Sequence, residues 1–156
     1  MKKVLFISSM GGHLTEMFQL KSMFKDYDYK VVTEKHKSTI GLKARYKSKI
    51  EYLSTGHKGR PLKYIFTLPY NVIKSFIIFI KFKPDVIVTT GAHTCVAMCY
   101  IAKIFRKKVI YIESFANVET KTLTGRLVYP IADKFIVQWH SMLKLYPKAI
   151  YGGWIF

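Results

Sequence analysis

The chain has 156 residues, with 26 lysines and arginines against 9 aspartates and glutamates, so its formal net charge is +17. Half of its residues are hydrophobic, which is enough for one packed core and excludes a disordered chain. A charge this unbalanced predicts an anionic partner, either nucleic acid, an acidic membrane surface or a phosphorylated substrate. The mean hydropathy is positive, which favours the membrane surface, because nucleic-acid-binding faces are usually hydrophilic.

Short apolar runs alternate with longer helical stretches along the whole chain. The runs predicted to be strands are residues 3–8, 29–33, 50–54, 85–89, 108–112 and 134–138. The helices predicted between them are residues 14–24, 61–82, 94–105 and 120–132. Several strands lack polar alternation, which is typical of a parallel sheet covered on both faces. The order predicts one α/β domain, residues 1–156, with a Rossmann-like, doubly wound, mostly parallel sheet.

The N-terminus and the cysteines indicate a cytosolic chain. The first apolar run is too short for the core of a signal peptide and leads directly into a glycine turn, so it predicts a buried strand. Cys95 and Cys99 are four residues apart on one predicted helix, where disulfide geometry is rare. No zinc-ligand spacing occurs, so we predict reduced cysteines, no metal and no cofactor.

The loop after the first strand contains Gly11 and Gly12. Two glycines allow a sharp turn and leave the free N–H groups at the start of the next helix open to a phosphate. The loop matches neither G-x-G-x-x-G nor a P-loop, so it predicts neither a dinucleotide site nor an ATPase. A tight turn without a ligand is the alternative interpretation.

His13 stands where this helix is predicted to begin, with Glu16 in its first turn. A histidine at this place is suited to donate to a phosphate or to act as a base toward an acceptor hydroxyl, so His13 is a catalytic candidate. The alternatives are a surface or packing histidine, and a glutamate that only complements the helix dipole.

Two further loops are predicted at the same edge of the sheet, where ligands of doubly wound folds bind. In the first, Gly91 permits a tight exit from the strand, and His93 and Thr94 are candidates for acceptor or phosphate binding. Thr94 is equally suited to cap the helix. In the second, Glu113 ends an apolar strand, so its carboxylate must face solvent or a partner. We expect Glu113 to contact a sugar hydroxyl as a second catalytic candidate, assisted by Asn117, with a structural cap as the alternative.

Together these loops resemble the N-terminal, acceptor-binding half of GT-B glycosyltransferases. More closely, they resemble the membrane-anchoring subunit of the UDP-N-acetylglucosamine transferase of asparagine-linked glycosylation, a family with bacterial members in capsule and exopolysaccharide clusters. The matching stretches are residues 9–17 (S-M-G-G-H-L-T-E-M), 88–93 (V-T-T-G-A-H), 111–116 (Y-I-E-S-F-A), 124–127 (T-G-R-L) and 132–133 (A-D). Their order and spacing run over nearly the full chain.

The resemblance implies a subunit that is active only with a partner. It would bind the lipid-pyrophosphate-linked sugar acceptor and recruit a separate donor-binding glycosyltransferase subunit into a heterodimer, with the active site between them. The sugar that is moved would be N-acetylglucosamine or galactose. Eukaryotic members carry an N-terminal transmembrane helix, whereas this chain begins with a predicted strand. We therefore expect peripheral attachment at the cytoplasmic face of the cell membrane.

Residues 62–83 are the predicted membrane-binding segment. Residues 72–82 are apolar almost all round, but Pro69, Asn71 and the two lysines Lys74 and Lys81 interrupt the longer run, and a spanning helix needs about 20 apolar residues. An interfacial helix is therefore predicted, with its lysines reaching lipid phosphates, and a buried core helix is the alternative. The residues assigned to the membrane are Lys74, Phe76, Ile77, Phe79, Ile80, Lys81, Arg106 and Lys107. Further basic residues nearby are Lys58, Arg60, Lys63, Lys103 and Lys108.

The apolar C-terminus is predicted to be a contact surface. Tyr151, Trp154, Ile155 and Phe156 carry no charge among them, and such an end tends to be buried. The resemblance implies that they dock the catalytic partner, and packing on the chain's own domain is the alternative.

Two other functions compete with this interpretation. A complete minimal glycosyltransferase would need a donor site, and the sequence contains no second Rossmann half. A basic nucleic-acid-binding domain would need a recognition motif or exposed aromatics between basic residues, and the apolar run at residues 72–82 does not fit one.

Overall fold

A computed structural model describes residues 1–55 and 61–155, with side chains described for residues 1–55 and 65–155. Seven strands form one sheet: β1 (Lys3–Ser8), β2 (Asp28–Lys35), β3 (Ile50–Ser54), β4 (Val86–Gly91), β5 (Lys108–Ile112), β6 (Lys134–Val137) and β7 (Ile150–Tyr151). The helices are α1 (Gly12–Gln19), α2 (Leu42–Tyr46), α3 (Pro61–Phe82), α4 (Val96–Ile104), α5 (Leu123–Val128) and α6 (Ser141–Leu145). Short 3₁₀ turns cover Leu20–Asp26, Lys47–Lys49 and His93–Cys95.

The sheet confirms the predicted fold class. Its strand order is β3-β2-β1-β4-β5-β6-β7, and every neighbouring pair is parallel. Successive strands move outward from β1 to β3, and the chain then returns to place β4 on the other side of β1. This reversal leaves a crevice at the carboxyl ends of β1 and β4, which is where ligands of doubly wound sheets bind.

Three short elements were not predicted. They are α2 and α6, with five residues each, and β7, with two. Elements of this length carry too few residues to show a period. The predicted helix at residues 120–132 is also wrong at both ends. The helix is only Leu123–Val128, because the Thr122 hydroxyl accepts a hydrogen bond from the Gly125 amide and so caps its start.

The core lies on both faces of the sheet. On one face, Leu5, Ile7 and Ile87 of the strands pack with α3 and α4. On the other, Val4 and Phe6 pack with α1 and the 3₁₀ turn after it. Cys95 and Cys99 are free and buried, which agrees with the predicted packing role.

Helix α3 is attached to the sheet through its second half. The Asn71 side chain donates to the Ser54 carbonyl and accepts from the Ser54 amide, both at 2.8 Å, at the carboxyl end of β3. After Asn71, the side chains of Ser75, Ile78 and Phe82 are buried against the core. Because α3 runs antiparallel to the strands, its turns before Asn71 lie beyond the end of β3. This part of the helix is about 15 Å long, at 1.5 Å per residue.

Candidate functional site

His13 lies in the crevice and is held by Thr90 at the end of β4. Its ring Nδ1 is 2.8 Å from the Thr90 carbonyl oxygen, and the Thr90 hydroxyl donates to the His13 carbonyl at 2.7 Å. A carbonyl only accepts, so Nδ1 carries a proton, and in the neutral ring Nε2 has the lone pair that a general base requires. Sequence reasoning missed Thr90, although it belongs to the V-T-T-G-A-H stretch.

Gly91 lies directly against the His13 ring. Its φ is +93°, and a Cβ on it would be 3.4 Å from His13 Nδ1 and 3.3 Å from the Tyr111 hydroxyl. A side chain here would therefore strain the backbone and press on the histidine. The predicted tight exit from β4 is present, and it brings the two predicted loops into contact.

The glycine turn before α1 exposes amide groups. Gly11 has a φ of +85°, and its carbonyl accepts from the amides of Leu14 and Thr15. Within the described chain, the amides of Gly12 and His13 have no acceptor. A Cβ on Gly12 would meet no atom within 4 Å, so the fold itself leaves room in front of these donors. Such free donors suit an anionic oxygen.

Glu16 joins α1 to the loop after β5. Its Oε1 accepts from the Ser114 hydroxyl at 2.7 Å and from the Phe115 amide at 3.1 Å. Its Oε2 is buried, lies 3.9 Å from His13 Nδ1 and has no hydrogen-bond partner among the described residues. A buried, unsatisfied carboxylate oxygen is costly, which makes it a natural acceptor for a ligand hydroxyl. The sequence interpretation of Glu16 as a complement to the helix dipole underestimated it.

Glu34, at the end of β2, holds the other side of the crevice together. It is 2% exposed and accepts from the Thr94 hydroxyl at 2.9 Å and the Met10 amide at 3.2 Å, with His93 Nε2 at 3.3 Å. Burial alone would raise its pKa, but the hydrogen bonds from His93, Thr94 and Met10 outweigh burial and hold the pKa of Glu34 below its usual value. Sequence reasoning missed Glu34, which belongs to no motif. Its one indication in the sequence was an acidic residue near the C-terminal end of a buried strand.

The two predicted residues after Gly91 therefore differ in role. The Thr94 hydroxyl accepts from Ser9 at 2.8 Å and donates to Glu34, and Thr94 is buried. Thr94 does not cap α4, which has no side-chain cap, so that alternative was wrong. Thr94 lines a cavity between α3 and α4, and its role in ligand binding stays a prediction. His93 stays substantially exposed at the mouth of the crevice while contacting Glu34.

Glu113 lies beneath α5 and not in the open crevice. It is 1% exposed, and its carboxylate receives the Ser114 amide at 3.1 Å and the Thr122 hydroxyl at 3.2 Å, with the Tyr146 hydroxyl at 3.5 Å. Burial raises its pKa, which these hydrogen bonds only partly offset. The expectation that Glu113 faces solvent or a sugar was wrong, because α5 covers it. Glu113 is not itself a cap, but it holds the hydroxyl of Thr122, which caps that helix.

Asn117 closes a local turn. Its amide group donates to the Thr120 carbonyl and its Oδ1 accepts from the Thr120 hydroxyl at 2.9 Å. The Asn117 side chain therefore stabilises the turn, and its assistance to a sugar contact stays a prediction.

Helices α3 and α4 present an exposed apolar surface, here called the flank. Its exposed members are Ile65, Phe66, Leu68, Tyr70, Val72, Ile73, Phe76, Ile77, Ile80, Tyr100, Ile104 and Phe105. By length and composition, Ile65–Phe82 is apolar enough to cross a membrane, and 22% of that window is buried in the protein. The predicted membrane-binding residues Phe76, Ile77 and Ile80 belong to the flank.

Two residues assigned to the membrane have other partners. Phe79 is 3% exposed, and its ring centroid is 5.2 Å from that of Phe105, so it is a core residue and the prediction was wrong. Lys107 has its Nζ 3.2 Å from Asp85 Oδ1, which offsets its charge. Lys81 and Arg106 are exposed and Lys74 is partly so. Lys103 and Lys108 share Asp133. Lys58, Arg60 and Phe156 lie outside the described residues, and so does the Lys63 side chain.

The opposite face of the sheet carries an apolar hollow near the C-terminus. Ile110, Ile112 and Ile136 line it together with Ile155, and its volume is about 370 Å³. Trp154 is 76% exposed with its ring centroid 5.4 Å from that of Phe115. Tyr151 is also exposed and stacks on His140. Ile155 therefore packs on its own domain, whereas Trp154 and Tyr151 are available to a partner.

In the described part of the chain, no three His, Cys, Asp or Glu residues lie close enough together to hold a metal ion.

The sequence and the fold have counterparts in known proteins. The chain is 31% identical to the UDP-N-acetylglucosamine transferase subunit ALG14 of Yarrowia lipolytica, over 97% of this chain and 80% of that protein. It is 30% identical to the subunit of the same name from Mus musculus, over 97% of this chain and 82% of that protein.

Among solved structures, MurG of Acinetobacter baumannii matches with a TM-score of 0.69 and 14% identity, over 88% of this chain and 41% of that one. The likeness to MurG shows the fold alone, and this chain spans less than half of the MurG chain. The model of the family described as "Oligosaccharide biosynthesis protein Alg14 like" matches residues 4–155. The chain therefore belongs to the Alg14 family.

Proposed function

We propose that this chain is the membrane-bound, acceptor-side subunit of a two-component UDP-sugar glycosyltransferase. The observation that carries the proposal is the single open sheet: the described residues form one Rossmann-like unit that matches 41% of a MurG chain. A GT-B enzyme needs two such units with the active site between them. The name of the relatives, a transferase subunit, supports the same division.

The donor-binding subunit, in this proposal, docks at the C-terminal hollow. Ile110, Ile112 and Ile136 line an apolar cavity there, and Trp154 and Tyr151 stand exposed beside it. Exposed aromatics around an apolar concavity are typical of protein interfaces. The donor nucleotide would then be bound by the partner, which forms a heterodimer with this chain.

The lipid-pyrophosphate-linked acceptor is proposed to enter the crevice from the membrane. The amides of Gly12 and His13 suit its pyrophosphate, and the flank holds the protein at the cytoplasmic face of the membrane. Attachment is peripheral in this proposal. The second half of α3 packs against the core through Ile78, Phe79 and Phe82, and this packing would be lost if the helix crossed the bilayer.

His13 is proposed as the general base for the acceptor hydroxyl. Its Nδ1–H is fixed on the Thr90 carbonyl, so Nε2 is the atom that takes the proton as the hydroxyl oxygen bonds to the anomeric carbon of the UDP-sugar. The bond from that carbon to the diphosphate breaks, and UDP leaves on the donor-binding subunit. The free oxygen of Glu16 beside it supports the imidazolium that forms or holds a second acceptor hydroxyl. Glu113 is proposed to position α5 and the loop before it.

The product that we propose is a capsule or exopolysaccharide, as the resemblance to bacterial members of the family implies. The transferred sugar is N-acetylglucosamine or galactose, and the activity named for the relatives supports the first of these.

The complex co-purified from membranes tests this function. We expect transfer from a UDP-sugar to a lipid-pyrophosphate acceptor only when the donor-binding subunit is present. His13→Asn should lower the rate about a hundredfold or more, the range for loss of a general base. His36→Asn, at an exposed histidine before α2, is the matched control and should not change it. An unchanged rate in an intact His13→Asn complex would remove His13 from the mechanism.

A further inference from the structure

A groove runs between α3 and α4 and opens onto the flank. Its volume is about 360 Å³, within the roughly 300–1,000 Å³ of small-molecule sites. Leu68 and Val72 of α3 form one wall, and Ala97, Tyr100 and Ile104 of α4 form the other. From the start of α4 to Ile104 the groove follows about 12 Å of helix.

One residue belongs to both the groove and the crevice. His93 lines the groove and places its Nε2 3.3 Å from Glu34 Oε1 inside the crevice network. The groove therefore begins polar at His93 and becomes apolar toward Ile104, which is largely exposed at its far end. A ligand that follows it would have an anionic or polar head beside His93 and a hydrocarbon tail along α4.

We propose that this groove binds the first part of the hydrocarbon chain of the lipid acceptor, directly beyond its pyrophosphate. The inference rests on the proposed function and adds a second point of recognition, the chain itself. Continuity with the flank selects a lipid over a peptide, because the outer edges of the groove (Leu68, Val72, Tyr100 and Ile104) are exposed members of the surface that faces the membrane. A lipid tail can then pass from the bilayer into the groove without crossing water.

The protein would therefore recognise the hydrocarbon chain and the pyrophosphate of the lipid together. Burial of hydrocarbon adds affinity that inorganic pyrophosphate cannot gain, at about 0.8 kcal/mol for each buried CH₂. The groove would also set the direction in which the pyrophosphate enters the crevice, with the sugar pointing toward His13.

Affinity measurements with three probes test the groove: farnesyl diphosphate, inorganic pyrophosphate and lysophosphatidic acid. The purified full chain is titrated in one detergent at a constant micelle concentration, so that partition of each probe is equal for all variants. Ala97→Trp fills the groove, and Val72→Gln makes its exposed edge polar while leaving the core untouched. Ala44→Trp, on exposed α2, is the matched control.

We expect Ala97→Trp to weaken farnesyl diphosphate binding by at least about tenfold and Val72→Gln by about fivefold, with pyrophosphate binding unchanged in both. Ala44→Trp should change neither. If the thermal transition shows that Ala97→Trp does not fold, the result for Val72→Gln alone tests the proposal. Equal affinity of the folded variants and the wild type for farnesyl diphosphate would contradict hydrocarbon binding in the groove.

The outcomes also separate the groove from the proposed function. Wild-type protein that binds both diphosphates equally well contradicts the groove alone. Wild-type protein that binds neither contradicts the acceptor site as well. An equal loss of lysophosphatidic acid binding in Ala97→Trp would identify an ordinary phospholipid as the occupant and overturn the proposal.

Discussion

The chain exposes two apolar surfaces, and they differ in the elements that form them and in charge. The flank is helical, and exposed Lys81 and Arg106 and partly exposed Lys74 belong to the same two helices or follow them directly. The hollow beneath β5 and β6 is concave, is lined by isoleucines and has Lys2 as its one described basic residue. Anionic phospholipid surfaces attract cations, whereas the centre of a protein interface is depleted of charged residues. The difference in charge supports the proposal that the flank faces the membrane and the hollow the partner subunit.

A charge placed in the hollow should have the largest effect. Ile136→Asp leaves the free chain folded, because this side chain is partly exposed in it, but buries an unpaired charge in the complex. We expect partner affinity to fall about a hundredfold or more, as for roughly 3 kcal/mol, in a pull-down or titration. Ile73→Asp, on the flank, is the matched control and should bind the partner normally. Partner loss in Ile73→Asp alone would reverse the two assignments.

A charge placed on the flank should have the next largest effect. Ile73 is exposed and points away from the core, so Ile73→Asp should not destabilise the fold. It should cost about 1.5–3 kcal/mol of membrane-binding free energy, because the isoleucine side chain is no longer buried in the lipid. Binding to vesicles with anionic lipids should fall at least about tenfold in a sedimentation assay. Here Ile136→Asp is the control, with vesicle binding like that of the wild type. If the two variants lose vesicle binding equally, the flank has no special role.

The sequence predicted the position of the flank but not which residues face outward. The bounds of α3 were predicted correctly, since a long apolar run follows a proline, which favours the first turn of a helix. Phe76 and Phe79 are one turn apart in this run, yet Phe76 is exposed and Phe79 is buried. A segment apolar on all sides carries no periodic signal, so only tertiary packing separates the two.

The crevice was predicted in the same partial way. Glycine turns and His13 were found because backbone geometry limits the residues that fit there. Glu34 and Thr90 were missed because their roles depend on strand neighbours distant in the sequence. Glu113 was placed in the crevice because it follows β5, and nothing in its local sequence predicts that α5 covers it.

The last predictions concern the two buried carboxylates, Glu34 in the crevice and Glu113 beneath α5. The folded-state pKa of Glu34 is lowered, so the stability it contributes is present above its unfolded value of 4.5 and is lost as pH falls through the folded pKa. The pKa of Glu113 is raised, so its contribution is present below 4.5 and is lost as pH rises through the folded pKa.

Substitution by glutamine should therefore act in opposite directions. At pH 7 we expect Glu34→Gln to destabilise the chain by about 1–3 kcal/mol, because hydrogen bonds to a charged group are lost, with the difference shrinking toward acid pH. Glu113→Gln should be as stable as the wild type or more so at pH 7, and its advantage should vanish at acid pH. Thermal unfolding from pH 4 to pH 8 measures both. If the unfolding temperatures of the two variants changed with pH in parallel, the surroundings of Glu34 and Glu113 would not shift their pKa values in opposite directions.

The central claim is that this chain supplies the acceptor side and depends on a partner for the nucleotide sugar. The direct measurement is turnover of UDP-N-acetylglucosamine by the purified chain on vesicles that contain the lipid-pyrophosphate acceptor, with and without the donor-binding subunit. The account predicts lipid-linked product only when both subunits are present. Product formed at the same rate by the chain alone would contradict it.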